Sequence, residues 1–366
     1  MRVWPLLLLA FCLGQKQLPN PMLAGYANWG ECDDKVVLAA RQGVNVVLWF
    51  SIDLSPSAPP SGGPNLTCVA SVKANLTAAG LPTTHLITVG GWDAPHPTGG
   101  APADFYAQWK AWNLALAPGG LFDGIDWDLE GNDAPASPWN TISLDTLQIV
   151  GEVSQAAKRD GFLVTMVPAE SYLDASTPLF DLSLTNAYPE AWHPEFRYHG
   201  RNAYAYLYSR YGGAQTFDAV TIQLYESFSH AGYNVSVLKQ RPADYLVAWA
   251  RSLARGYAVD FASVPQLQWP TQTVQLPPTT LVVGLSNGWA GGAGAPKSLL
   301  IMPEEVGVAW AALGAERFRG AAFWCIAEEG ATPPAQSQPL FLAAGLNAFM
   351  GTRPPLKSEG GAGGVE

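Results

Sequence analysis

Eight short apolar runs recur along the chain, and they constrain its fold more than any other feature of the sequence. The runs are rich in β-branched residues and cover 22–26, 44–52, 85–89, 121–127, 162–167, 217–225, 280–285 and 320–326. Because they are nearly continuous rather than alternating, they are typical of parallel strands buried on both faces. Helical patterns lie between several of them, for example at 34–42, 103–116, 144–159, 243–256 and 303–313.

Eight strand–helix units in a chain of 366 residues predict a single (β/α)8 barrel with loop insertions. With 48 % hydrophobic residues, the chain can bury a core of that size. The alternative is a doubly wound open sheet, but no GxGxxG follows the first run, which disfavours it. In a barrel, we expect the reactive residues at the carboxyl ends of the strands.

Charge and composition exclude several classes of protein. Lys and Arg total 20 against 30 Asp and Glu, and this net charge of −10 argues against a nucleic-acid partner. The five His are scattered and the four Cys form no CxxC, so we expect no metal site and no cofactor. No run after the N-terminus is long and apolar enough to span a membrane, and we expect a monomer that is not bound to membranes.

The N-terminal residues resemble a targeting segment. A positive start at Arg2 precedes an apolar run over 3–13, and small residues at Cys12 and Gly14 fit cleavage before Gln15. A buried first strand is the alternative, which Pro5 disfavours. The sequence thus predicts a signal peptide over 1–14, a barrel domain over 15–350, a flexible tail over 351–366, and secretion.

Removal of the signal peptide would leave three cysteines and three glycosylation sequons. Cys32 and Cys68 both lie in early loops and could pair, whereas Cys325 lies in an apolar run and is expected to be a buried small hydrophobe. The sequons, which are candidate surface glycosylation sites in a secreted chain, are at Asn65, Asn75 and Asn234.

Three acids end the fourth apolar run. Asp126, Asp128 and Glu130 are two residues apart, so on a strand their side chains share one face, while those of the residues between them face the helices. Like-charge repulsion and partial desolvation would raise the pKa of at least one acid, as general acid catalysis requires. Glu130 reaches furthest toward the barrel mouth, and we assign the proton to it.

Other interpretations of the acids are weaker. A calcium loop of the EF-hand type needs a glycine and a glutamate that are missing here. A solvated acidic edge conflicts with the apolar residues between the acids. An inactive binding site remains as an alternative to a catalytic cluster.

Residues 123–130, DGIDWDLE, resemble the DGxDxDxE signature of glycoside hydrolase family 18, the chitinases and their relatives. Four further segments resemble elements of that family in the same order, so that the resemblance extends to about residue 350. They are HLITVGGW at 85–92, MVPA at 166–169, QLYE at 223–226, and Phe323 with Trp324 on the eighth run.

The resemblance implies a substrate-assisted retaining mechanism, in which the substrate's own N-acetyl oxygen is the nucleophile and an oxazolinium ion forms. Glu130 would protonate the glycosidic oxygen and later activate water. Asp128 would orient the acetamido N–H, Asp126 would share a proton with Asp128, and Tyr225 would donate to the acetamido oxygen.

The resemblance also implies the substrate-binding residues. Trp324 would form the apolar floor, Gln223 and Met166 would line the pocket, and Trp92 would stack against a further sugar. Glu226 stands where the family has Asp or Asn, and this longer acid would reach the substrate or pair with Asp128.

Two segment lengths bear on the shape of the groove. The stretch 169–216 is longer than a simple barrel needs, and would shape the groove or cover the barrel. About 35 residues between the last two runs leave no room for the α+β insertion of some chitinases, so we expect an open groove and endo-type cleavage.

The function predicted first is a secreted chitinase that cleaves β-1,4 bonds between N-acetylglucosamine units. An endo-β-N-acetylglucosaminidase acting on N-glycans is the alternative, because that substrate also presents an acetamido group beside the scissile bond. A non-catalytic chitin-binding lectin is the third possibility, which the presence of Glu130, Asp128 and Tyr225 disfavours.

Overall fold

A computed structural model describes residues 16–27, 32–92, 94–130, 140–184, 201–227, 229–288, 298–334 and 336–354. Eight strands alternate with eight helices along this part of the chain. The strands are β1 Met22–Ala27, β2 Val46–Asp53, β3 Thr84–Gly91, β4 Gly124–Leu129, β5 Leu163–Met166, β6 Ala219–Gln223, β7 Leu281–Ser286 and β8 Gly320–Trp324. The helices are α1 Asp34–Gln42, α2 Leu66–Ala78, α3 Pro102–Leu116, α4 Leu144–Arg159, α5 Ala203–Arg210, α6 Pro242–Arg255, α7 Pro303–Leu313 and α8 Leu342–Met350.

The eight strands are parallel and close into a barrel. Each pairs with its neighbours in the chain, and β1 pairs with both β8 and β2, which leaves no free edge. The predicted single (β/α)8 barrel is therefore confirmed. Short two-stranded additions lie outside it, at Asn140–Thr141 with Ser183–Leu184 and at Tyr257–Val259 with Gln272–Val274.

Two apolar layers hold the barrel together. The inner cluster fills the lumen with side chains such as Met22, Val46, Leu86 and Val282. The larger outer cluster lies between the strands and the helices. Burial of both strand faces explains why the runs in the sequence are almost continuously apolar.

Strand β4 separates its residues between these layers as its period-2 pattern predicts. Ile125, Trp127 and Leu129 belong to the outer cluster, and the Trp127 Nε1–H donates to Ser154 Oγ on α4 at 2.9 Å. The intervening acids point into the barrel. The strand begins at Gly124, three residues after the start of the predicted run at 121–127. Leu121 and Phe122, the first residues of that run, are buried in the loop that precedes the strand.

Asp123 lies just before the amino end of β4, away from the other acids. Its carboxylate accepts from the His85 N–H at 2.8 Å and from the Lys16 Nζ at 2.9 Å, with Lys73 Nζ at 3.4 Å. Burial alone would raise the pKa of Asp123, but these three donors together lower it below its usual value. Asp123 therefore acts as a structural hydrogen-bond partner outside the group of three acids.

The sequence predicts a signal peptide at one end of the chain and a flexible tail at the other. The predicted signal peptide lies outside the described residues. Of the predicted tail, residues 351–354 are described, and there Thr352 Oγ1 donates to Gly43 O at 2.7 Å and the Arg353 N–H donates to Asn347 Oδ1 at 2.9 Å. The rest of the predicted tail lies outside the described residues. None of the helices in the described ranges is both long and apolar enough to cross a bilayer.

Cys32 and Cys68 are joined in a disulfide, which ties the segment before α1 to the first turn of α2. Cys325 is a free, buried cysteine that packs in the inner cluster, as expected of a small hydrophobe.

Candidate active site

Asp126 lies inside the barrel, surrounded by hydroxyl groups from three strands. Strand register places Thr88 and Thr165 directly beside it on β3 and β5. Its carboxylate accepts from Tyr26 Oη of β1 at 3.0 Å, from Thr88 Oγ1 at 3.2 Å and from Thr165 Oγ1 at 2.5 Å. Burial raises the pKa of Asp126 to about 6, against the opposing effect of these three donors.

Asp128 and Glu130 lie above Asp126, at the carboxyl end of β4, and one amide group joins them. Gln223 Nε2, at the end of β6, lies 3.1 Å from Asp128 Oδ1 and 2.9 Å from Glu130 Oε1, and also donates to Val167 O at 2.9 Å. Asp128 and Gln223 are almost fully buried, whereas Glu130 is partly exposed. Glu130 is therefore the acid within reach of a molecule at the barrel mouth.

Asp128 and Glu130 also lie within hydrogen-bond reach of each other. Burial and then the neighbouring Glu130 raise the pKa of Asp128 well above its usual range. The charge of Asp126 raises the pKa of Asp128 further. That Glu130 holds the catalytic proton and that Asp126 shares a proton with Asp128 both stay predictions.

Gly90 is the first of the two glycines that end β3, and its position requires glycine. It pairs with Asp128 and has a φ of +99°, and a Cβ at this position would lie 2.1 Å from the Asp128 carbonyl oxygen. Only glycine combines this left-handed backbone with so close an approach to the strand that carries the acids.

Tyr225 and Trp324 complete the mouth around the acids. Tyr225 follows β6 and lies near Glu130 and Asp128. Burial, and then the charges of these two acids, raise the pKa of Tyr225 well above its usual value. Trp324 ends β8, and its half-buried ring packs edge-on against Phe50 with the ring centroids 4.7 Å apart. The ring of Tyr26 is tilted against that of Trp324, with centroids 5.9 Å apart. This aromatic group covers the apolar lumen beside the acids.

Met166 does not line the pocket, and the prediction that it does is wrong. It pairs with Trp127, is fully buried, and packs in the outer cluster against the helical layer. Its neighbour Thr165 occupies the inward position instead, because strand side chains alternate between the two faces.

The two remaining binding candidates lie at the rim. Trp92 directly follows β3 and is 61 % exposed, so its indole is accessible from solvent. Glu226 is partly buried, and its charge raises the pKa of both Tyr225 and Tyr172. Its place beside these phenols keeps it close to the acids.

Sequence reasoning missed several polar residues of the site. Tyr26, Thr88 and Thr165 bind Asp126, and Tyr172 lies near Glu130 in the turn after β5. A lone threonine inside each of the otherwise apolar runs 85–89 and 162–167 was the available signal for Thr88 and Thr165. Within the described ranges, no cluster of three His, Cys, Asp or Glu side chains could hold a metal ion.

No protein-family model matches the chain, and no curated protein matches its sequence. Solved structures match its fold at low sequence identity. The catalytic domain of a hyperthermophilic chitinase from Pyrococcus furiosus is 12 % identical with a TM-score of 0.54, covering 92 % of this chain and 95 % of that one. The C-terminal domain of ChiA from Legionella pneumophila is 17 % identical with a TM-score of 0.54, covering 84 % and 93 %.

A fungal endo-β-N-acetylglucosaminidase from glycosyl hydrolase family 18 is similar to the same degree. It is 15 % identical with a TM-score of 0.53, covering 91 % of this chain and 96 % of its own. The chain therefore has the fold of family 18 glycosidases, as the resemblance in the sequence implied.

Proposed function

We propose that the protein is a glycoside hydrolase that cleaves the β-1,4 bond on the reducing side of an N-acetylglucosamine unit. The observation that carries this proposal is the meeting of Asp128, Glu130 and Gln223 at the barrel mouth, with Tyr225 beside them. A buried carboxyl with a raised pKa directly beside a second, partly exposed carboxyl is the arrangement that general acid catalysis needs. The fold that the chain shares with a chitinase and an endo-β-N-acetylglucosaminidase supports it.

In this mechanism the substrate takes over the hydrogen bond that the free acids make with each other. An acetamido N–H donates to Asp128, so the shared proton stays with Glu130. That proton passes to the glycosidic oxygen as its bond to C1 breaks, while the acetamido oxygen forms a bond to C1. Water then gives a proton to the ionised Glu130 and attacks C1, which breaks the bond between C1 and the acetamido oxygen and releases the sugar with retained configuration.

Replacement of Glu130 by Gln tests the acid directly. We expect Glu130→Gln to lower kcat by at least about 10³-fold, since the variant cannot supply a proton, and to leave oligosaccharide binding nearly unchanged. The matched control is Glu152→Gln on the exposed side of α4, which should keep full activity. Near-normal turnover by Glu130→Gln would exclude this mechanism.

Chitin is the substrate that we propose first, and the N-glycan core is the second candidate. Both place an acetamido group beside the scissile bond, and the solved structures of similar fold include enzymes named for each activity. Parallel assays on a chitin hexamer and on a high-mannose glycopeptide, with product anomers followed by NMR, separate the two. Binding of the hexamer without cleavage of either substrate would instead indicate a lectin.

We also propose that the protein is secreted, which the disulfide between Cys32 and Cys68 supports.

The asparagines of the three sequons differ in their exposure to solvent. Asn65 and Asn75 are exposed, whereas Asn234 is half-buried and its Nδ2 donates to His230 O at 2.8 Å. Asn65 and Asn75 are therefore the better glycan acceptors.

A further inference from the structure

The acid-bearing end of β4 extends beyond its partner on one side. On the β3 side, pairing continues to Leu129. On the β5 side, the last pair is Trp127 with Met166, after which the chain turns into the 3-10 helix Glu170–Leu173. The Leu129 N–H is therefore buried at the point where β5 no longer supplies an acceptor, and an unpaired N–H there would be costly.

A phenol from the helical layer takes the place of the missing strand. Tyr204, in the first turn of α5, is fully buried. Its hydroxyl accepts from the Leu129 N–H at 2.8 Å and donates to the Trp127 carbonyl at 3.2 Å. The hydroxyl thus binds the backbone on both sides of Asp128, and Leu129 directly precedes Glu130.

We propose that Tyr204 is a positioning residue, whose hydroxyl fixes the backbone around Asp128 and so sets the direction of the Asp128 and Glu130 carboxyl groups. This inference rests on the proposed function, because it assumes that these two acids do the chemistry. It also gives a role to the long segment 169–216, because α5 in this segment places the Tyr204 hydroxyl at the end of β4.

Tyr204 acts through the backbone rather than on the substrate. Burial and the charge of Asp128 raise its pKa well above the usual value, so the phenol stays neutral and keeps its proton. The ring of Tyr172 packs against that of Tyr204 with centroids 5.7 Å apart, and Tyr172 itself lies near Glu130. The contact between the two rings, and the complete burial of Tyr204, hold its hydroxyl in place.

The test compares Tyr204→Phe with Tyr208→Phe. Tyr208 lies one turn along α5 and is also buried, but its hydroxyl bonds to Thr280 and to the backbone of Ala214. We expect Tyr204→Phe to lower kcat about 10- to 100-fold with KM within about twofold, since small misplacements of reacting groups are costly. We also expect its pH–rate profile to be displaced, and both the rate and the profile of Tyr208→Phe to stay near those of the wild type.

Hydrogen exchange of the Leu129 amide provides a readout that needs no substrate. We expect Tyr204→Phe to accelerate exchange at Leu129 by at least about tenfold, while Tyr208→Phe leaves it unchanged. Unaltered exchange at Leu129, or equal loss of kcat in both variants, would overturn the inference. If the wild type hydrolysed neither substrate, the proposed function would fail, and the exchange rate alone would then decide whether Tyr204 holds the strand.

Discussion

Among the described residues, Gln223 is the one whose side chain lies within hydrogen-bond distance of both Asp128 and Glu130, so its removal gives the sharpest test of their coupling. Gln223→Met keeps nearly the same length and loses the amide hydrogens that point at Asp128 and Glu130. Those hydrogens stabilise the ionised acids, and Gln223 accordingly lowers the pKa of Asp128 against the larger effects of burial and Glu130. Without them, the loss of the proton from Asp128 should need a higher pH.

The size of the shift follows from the energy of one charge-assisted hydrogen bond. Such a bond stabilises the ionised acid by about 1.5–3 kcal/mol, and one pKa unit corresponds to about 1.4 kcal/mol. We therefore expect the acidic limb of the kcat/KM–pH profile, which reports the free enzyme, to move up by about 1–2 pH units. At a pH below the wild-type limb, this displacement lowers kcat/KM about 10- to 100-fold.

The assay is hydrolysis of a soluble chitin oligomer, or of the glycopeptide if that is the substrate, over the full pH range of stability. Thr221→Val is the control, because Thr221 is buried on the inner face of the same strand and is not among the described donors to the three acids. A profile of Gln223→Met that coincides with the wild-type profile would refute the coupling of the pair through this amide.

Two predictions concern stability. Burial raises the pKa of Glu170 to about 7, against the opposing effect of donors that include Tyr245 Oη. The contribution of Glu170 to the free energy of unfolding is therefore largest below the pKa of the unfolded chain, near 4.5. It falls by up to about 3 kcal/mol as the pH rises through 7. Asp126 and Asp128, whose pKa values are also raised, add to this slope. Urea unfolding should therefore show the slope reduced in Glu170→Gln and kept in the exposed control Glu152→Gln, and equal slopes in the two variants would contradict the prediction. The disulfide spans 36 residues, so Cys32→Ser with Cys68→Ser should cost about 3–4 kcal/mol, and an unchanged unfolding midpoint would show that it does not constrain the unfolded chain.

Local periodicity accounts for the parts of the molecule that could be predicted. The barrel follows from eight runs that are each buried on both faces, and the acids follow from alternation within β4 alone. Neither inference needs to know which strands are neighbours. The motif located the segment around Met166 correctly, but it did not show which of the side chains in that segment face inward. The pairing of Trp127 with Met166 and of Asp126 with Thr165 decides this.

The remaining site residues depend on how the barrel closes, which local patterns do not encode. Tyr26 reaches Asp126 from 100 residues earlier in the chain, because β1 joins β8 to β2 and completes the lumen. Tyr204 reaches β4 from 75 residues later, because β5 ends its pairing at Met166. Both contacts are made by single hydroxyl groups on residues that otherwise pack as core. A tyrosine in an apolar run is most often a packing residue, so its hydroxyl acquires a task only when the register of the closed sheet brings an acceptor or an unpaired N–H to it.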